Sequence, residues 1–225
     1  IYGILQHYSK PDTSMKKIAL FGASGKSGQH FLTQALAKGY HVKALVRQPS
    51  KITTKHNALE IIQGDVLSAE KVSETIAGCD VVVSLFGHVK GSPAWLQSEG
   101  TALLITAMKE HGVGRIISLS GGGLPYPEKD QPKFADKLIR GIMRLVVPQI
   151  LRDAVRHHEL LRDSGLAWTI ARAPRLTQEA ARSQYRVGWV GVNASTSIGR
   201  ADLATFLLSL VEDKQYDAQM PFVSY

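Results

Sequence analysis

The run Gly22-Ala23-Ser24-Gly25-Lys26-Ser27-Gly28 links a short apolar segment to an amphipathic one. Glycine permits a tight turn and lets a phosphate approach the backbone closely. A helix starting straight after such a turn adds free N–H groups and the positive end of its dipole, which together hold negative charge. The run therefore predicts a phosphate-binding loop between a first strand and a first helix. The triplet Gly25-Lys26-Ser27 imitates the end of a nucleoside-triphosphate loop, but that loop needs a further glycine where this chain has Leu20. The spacing is G-x-x-G-x-x-G, which is not the plain G-x-G-x-x-G fingerprint and points to another branch of dinucleotide binders.

About 20 residues on, such folds carry an acidic residue when they select the ribose 2′-hydroxyl of NAD. This chain reads Leu45-Val46-Arg47-Gln48-Pro49-Ser50-Lys51 there. A 2′-phosphate would gain charge-assisted hydrogen bonds from Arg47, each worth roughly 1.5–3 kcal/mol, with Lys51 close by. One such bond corresponds to roughly a 10- to 150-fold preference, so NADP(H) is expected over NAD(H).

The elements that must position these residues follow from periodicity. Strand-sized apolar runs occur at 17–21, 41–46, 60–62, 81–86, 115–119 and 167–171, with a last edge strand near 221–223. Helical patterns fall at 26–38, 69–77, 101–111, 157–164 and 202–212. In the last of these Leu203, Phe206, Leu207, Leu210 and Val211 form one stripe. Strands alternating with helices predict an α/β protein, a doubly wound parallel sheet of Rossmann type covered by helices on both faces. Residues 15–225 read as one NAD(P)-binding domain. Its small C-terminal substrate lobe is contributed by about 121–150 and 174–200. Residues 1–14 read as a leader or flexible extension.

Composition narrows the partners. The 225 residues are 44% hydrophobic and 20% charged, which excludes wholesale disorder. Lys and Arg number 27 against 19 Asp and Glu, giving a net charge of +8 that suits anionic ligands. The charges are scattered and no nucleic-acid motif accompanies them, so no nucleic-acid partner is expected. No apolar run approaches the roughly 18 residues of a membrane span. Cys79 is the only cysteine, which fits a reducing, cytoplasmic setting, and its position before an apolar strand makes it a core residue. His157 and His158 are adjacent and point about 100° apart on a helix, a poor arrangement for a metal. A monomer or homodimer is expected.

Several further runs sharpen the reading. They are Lys17 to Gly25, Ala44-Leu45-Val46-Arg47, Gly64-Asp65-Val66-Leu67, Ser98-Glu99-Gly100, Ala107 to Val113, Glu159 to Leu166, and Asp202-Leu203. In these runs the chain resembles the NAD(P)H-binding, NmrA-like group of atypical short-chain dehydrogenase/reductases, most of all its biliverdin- and flavin-reducing branch. The resemblance covers nearly the whole chain from about Lys16. It implies that Gly22, Ser24, Gly25, Lys26, Ser27 and Gly28 wrap the pyrophosphate and that Arg47 and Lys51 hold the 2′-phosphate. It further implies that Asp65 and Val66 flank the adenine, Asp65 accepting from its exocyclic amine. Phe86 and Gly87 would line the path to the nicotinamide, with the end of strand five beside the ring.

The chain also departs from that group. Most short-chain dehydrogenases carry a Tyr-x-x-x-Lys pair as proton donor and ribose anchor. Measured back from Glu159, the two positions hold Arg152 and Arg156, and arginine is a poor general acid. The branch it resembles also lacks the pair and reduces conjugated acceptors that take hydride with a proton from water. A planar acceptor is thus expected: a flavin, a quinone or a biliverdin-like tetrapyrrole. The serine those reductases place after strand five falls on Gly121, leaving Ser120 as the candidate catalytic residue. Where they carry a histidine after the proline of strand six, Arg175 stands, as an anion partner for the acceptor or an ordinary surface cation. Trp95 and Tyr126 are aromatic residues near the site loops, fit either to stack on a flat acceptor or to pack. Residues 132–147 mix apolar and basic positions at helical spacing. They read as a helix packed on the C-terminal lobe, a lid over the substrate, or a membrane or dimer contact. The missing tyrosine leaves two rivals: a non-catalytic NADP(H) sensor of NmrA type, and a nucleotide-sugar epimerase or dehydratase.

Overall fold

The computed structural model describes residues 16–225; residues 1–14, read above as a leader, lie outside the described residues. The order of elements begins β1 (Lys17–Phe21), α1 (Lys26–Ala37), β2 (His41–Val46), β3 (Leu59–Gln63), α2 (Ala69–Ile76) and β4 (Val81–Ser84). It continues with α3 (Leu96–Glu110), β5 (Arg115–Gly121), α4 (Phe134–Val146), α5 (Pro148–Arg162) and β6 (Ala167–Ala173). The C-terminal part holds β7 (Arg175–Thr177), β8 (Arg186–Gly188), β9 (Ser197–Gly199), α6 (Arg200–Ser209) and β10 (Phe222–Ser224).

The main sheet runs β3-β2-β1-β4-β5-β6-β10-β8. Strands β1 to β6 and β10 are parallel, and only β8 pairs antiparallel, along β10. The order reverses between β1 and β4, and that switch point is where ligands enter doubly wound sheets. Two apolar cores follow from burying both faces. Phe31, Leu32 and Leu36 of α1 pack with Leu203, Phe206 and Leu207 of α6 on one face. Val72, Ile76, Leu104, Met108 and Leu161 pack on the other. The stripe predicted for the last helix is buried along its length, although the helix closes at Ser209.

Three differences from the sequence reading have physical causes. Helix α3 starts at Leu96 rather than near Thr101, because its first-turn amides are capped by a carboxylate from α5: Asp153 accepts from the Gln97 and Ser98 N–H groups at 2.8 and 2.9 Å. Strand β4 stops at Ser84. Leu85 makes one more bond, to the Phe21 carbonyl, and the chain then leaves the sheet. Strands β7, β8 and β9 have three residues each, too few to show a period of two in sequence. Pro148, which ends the basic run, also opens α5 in its first turn, where its missing N–H costs nothing.

Candidate functional site: a glycine-cradled cleft and its far wall

The turn after β1 is shaped by close approach. Gly22 has φ +89°, and a Cβ there would lie 2.6 Å from backbone atoms of Leu85 and Phe86. A Cβ on Gly28 would sit 2.1 Å from the Gly22 carbonyl oxygen, so α1 can press against the loop only without a side chain there. Gly25 occupies the N-cap and offers no side-chain cap, which leaves the first-turn amides of α1 for an incoming anion.

Above this turn lies a cleft lined by Gly22, Ser24, Gly25, Arg47, Asp65, Val66, Phe86 and Gly87. The sequence-predicted cofactor residues thus converge, although β1, β2, β3 and β4 supply them from distant parts of the chain. Lys51 joins Ser24, Arg47 and Gln48 around a groove next door. Arg47 is 4.0 Å from the Asp65 carboxylate, and Asp65 also accepts from the Leu67 N–H at 2.9 Å. The Phe86 ring packs on Gly100, with Val66 beside it. Lys26 is exposed at the start of α1, whereas Ser27 and Gly28 are buried in its first turn and act by letting the helix and loop close on each other. The glycine cradle and the uncapped helix fit the pyrophosphate of a nicotinamide dinucleotide.

The other predicted residues stand elsewhere. Ser120 is buried at the end of β5 and its hydroxyl has no hydrogen-bond partner. Arg175 lines a separate cleft with Gly121, Arg140 and Met143. Trp95 lines a third, between α4 and α5. Tyr126 belongs to packing: it meets Trp189 edge-on at 5.6 Å and lies beside Arg172 at 5.6 Å. Arg172 is fully buried and reaches both Asp130 carboxylate oxygens at 2.8 Å, which fastens β6 to the 124–130 loop. Burial alone would raise the Asp130 carboxyl, but Arg172 and the Tyr126 and Val190 amides hold it below the usual range. Cys79 is buried, donates to the Thr75 carbonyl, and is pushed up to about 11 by burial.

Two histidines that sequence reasoning did not select complete the far wall. His88 lines the cofactor cleft, and its Nε2 donates to Asp153 Oδ2 at 2.7 Å. Asp153 is wholly buried; burial works to raise its carboxyl, yet bonds from Ser98, the Gln97 amide and His88 hold it down as an anion. One turn along α5, His157 bridges Thr101 Oγ1 at 2.7 Å and Ser118 Oγ at 3.0 Å. Burial pushes this imidazole down to about 4, so it is a neutral strut. Ser120 shares the face of β5 that carries Ser118, because strand side chains alternate. It therefore stands on the α5 side, beyond the strut and towards Asp153. No local pattern joins His88 to Asp153 across 65 positions, which is why the pair was illegible.

A parallel sheet with a phosphate cradle at its switch point defines a nucleotide-binding Rossmann protein. The chain belongs to the NAD(P)H-binding family, whose model matches residues 22–214. The uncharacterized protein YwnB of Bacillus subtilis is 26% identical over 89% of this chain and 94% of its own length. A mycobacterial relative, Rv2047c of Mycobacterium tuberculosis, is 31% identical over 50% of this chain, a stretch that is 13% of that protein. Among solved structures, a short-chain dehydrogenase/reductase of Veillonella parvula in complex with NADP aligns with a TM-score of 0.76 at 18% identity, over 94% of this chain and 95% of that one. ChuY, an anaerobillin reductase from Escherichia coli O157:H7, aligns with a TM-score of 0.74 at 19% identity, over 92% and 96%. Among the described residues no helix is long and apolar enough to cross a membrane.

Proposed function

We propose that this chain is an NADPH-dependent reductase that passes hydride to a planar conjugated acceptor such as a flavin, a quinone or a linear tetrapyrrole. The observation that carries the cofactor choice is the groove shared by Ser24, Arg47 and Lys51, two cations beside the ribose end of a glycine-cradled cleft. When bound, NADPH would supply the hydride, becoming NADP⁺, and the reduced acceptor would take up one proton. Gly22, Ser24, Gly25, Lys26, Ser27 and Gly28 hold or shape the pyrophosphate site. Asp65 and Val66 bound the adenine end, while Phe86 and Gly87 line the way to the reacting end. Residues 15–225 act as one domain, with 121–150 and 174–200 forming the acceptor lobe. Arg152 and Arg156 occupy the positions of the usual tyrosine and lysine, so the proton needs another source.

His88 is the residue we assign to that task. Asp153 fixes its Nε2, which leaves Nδ1 as the ring atom free to exchange a proton at the cleft. Ser120, on the same side of β5, has a buried hydroxyl without a partner, which would bond an acceptor or the nicotinamide amide only if the wall over it moves. ChuY's description as a reductase supports the same class of chemistry. The test is steady-state oxidation of NADPH and NADH with FMN, riboflavin and soluble quinones, beside calorimetric titration of both cofactors. Turnover with NADPH supports the proposal, and replacing His88 by Gln should then lower kcat by about tenfold or more with NADPH affinity unchanged. Tight NADPH binding without turnover by any acceptor favours the sensor reading, for which the missing tyrosine speaks.

A further inference from the structure

The cleft that holds Trp95 has a volume of about 640 Å³ and adjoins the cofactor cleft. Leu96 lines one and Trp95 the other, and Asp153, which anchors His88, is followed back along α5 by Arg152. Four guanidinium groups line it: Arg140 and Arg144 from α4, Arg152 and Arg156 from α5. Glu159 is the one carboxylate among its lining residues. Arg140 is engaged with Asp130 at 3.5 Å. Among the described residues Arg144, Arg152 and Arg156 form no ion pair, and the Arg156 guanidinium lies 5.3 Å from the centre of the Trp95 ring.

Like charges on two facing helices repel, and an anion between them removes that cost. Guanidinium groups bind carboxylate and phosphate through paired, directional N–H donors, and they stack on flat rings. Two of the three unpaired arginines, Arg152 and Arg156, are exposed on α5 one residue before the buried Asp153 and His157. Arg152 and Arg156 thus line a cleft suited to a charged, flat molecule.

We propose that this arginine cleft is the acceptor subsite, and that it binds a phosphate or carboxylate substituent of the acceptor while the Trp95 side receives its ring. The natural acceptor is therefore an acidic planar molecule rather than a neutral one. This rests on the reductase reading above, and it is tested by matched pairs that differ only in charge. FMN and riboflavin distinguish a phosphate; a quinone carboxylic acid and its methyl ester distinguish a carboxylate.

Binding is measured on the full chain saturated with NADP⁺, by flavin fluorescence or quinone absorbance, at low and high salt. At least one pair is expected to show the anionic member bound more tightly by about tenfold, the low end for a charge-assisted hydrogen bond at a solvent-exposed site. Salt should reduce that advantage. The double replacement Arg152→Gln with Arg156→Gln should bring the ratio close to one, the anionic member losing more affinity than the neutral one. Arg144→Gln, on the other helix, should reduce it in part. Unfolding temperatures of all variants check that the helices persist. Equal binding within both pairs, no binding of any acceptor, or a ratio unmoved by the arginine changes would overturn the proposal. If the charged members bind selectively but none oxidises NADPH, the reductase reading fails and the subsite stands. If every acceptor turns over with no preference for charge, the reductase reading stands and the subsite fails.

Discussion

The two ends of the main cleft are built by different means. At the cofactor end, a turn whose shape excludes side chains meets cations from the next strand, and each part is local in sequence. At the acceptor end, the wall is a chain of side-chain bonds across the fold: His88 to Asp153, Asp153 to the first turn of α3, His157 to Thr101 and Ser118. A backbone-built site tolerates change in its surroundings and fails when its own glycines change. A side-chain-built site depends on partners 39 to 65 positions apart, and fails when one of them is lost.

Gly28 and Asp153, one at each end, should separate the two ends most clearly. Gly28→Ala places a methyl group against the Gly22 carbonyl, a contact no side-chain rotation relieves. We expect a loss of about 1–3 kcal/mol of stability and a comparable loss of NADPH binding, read by chemical denaturation and calorimetry. Asp153→Ala should act in the opposite sense. Removing a buried anion that serves two amides and a histidine should cost about 3 kcal/mol of stability and cut acceptor turnover, with NADPH affinity changed little in the protein that remains folded. If NADPH binding collapsed as far as turnover, the two ends would be one unit.

The His157 strut gives a pH test of the same wall. In the unfolded chain an imidazole gains its proton as the pH falls below about 6.5, whereas in the fold it does so only near 4. Its contribution is therefore complete above pH 6.5 and is lost as the pH drops through that window. At about 1.4 kcal/mol per pH unit the loss reaches roughly 3 kcal/mol. Denaturation midpoints measured from pH 7 to 4 should show the decline, and His157→Gln should flatten it. The smallest effect is expected at Arg47, which is exposed. Arg47→Ala should weaken NADPH by about tenfold and leave NADH nearly unchanged, since only the 2′-phosphate loses a partner. Equal losses for both cofactors would show that Arg47 acts through Asp65 rather than on the phosphate.

What could be read in advance follows the same division. Strands β1 and β2 matched their runs residue for residue, because both faces are buried and the inner positions are apolar, apart from Lys43, whose ammonium donates to the Glu74 and Ala77 carbonyls. The converging cofactor residues were legible because the glycine turn and the end of β2 are fixed by local geometry. Tyr126 was not, since its neighbour Arg172 is a strand residue whose charge is neutralised only by Asp130 across the fold. The helix α4 was expected, but its sequence alone did not say whether its apolar face would pack on the C-terminal lobe, close over the substrate or lie at the surface; Phe134 and Leu145 are 82% and 84% exposed.

The amino-acid order alone determined the parallel α/β plan, the glycine turn and the cation beside it. These follow from propensity, periodicity and turn sterics, which act within a few residues. Only the folded arrangement decided that Asp153 begins α3 and holds His88, and that Arg152 and Arg156 face a common cleft. Hydrogen bonding and charge between distant side chains have no signature until packing brings the atoms within about 3 Å.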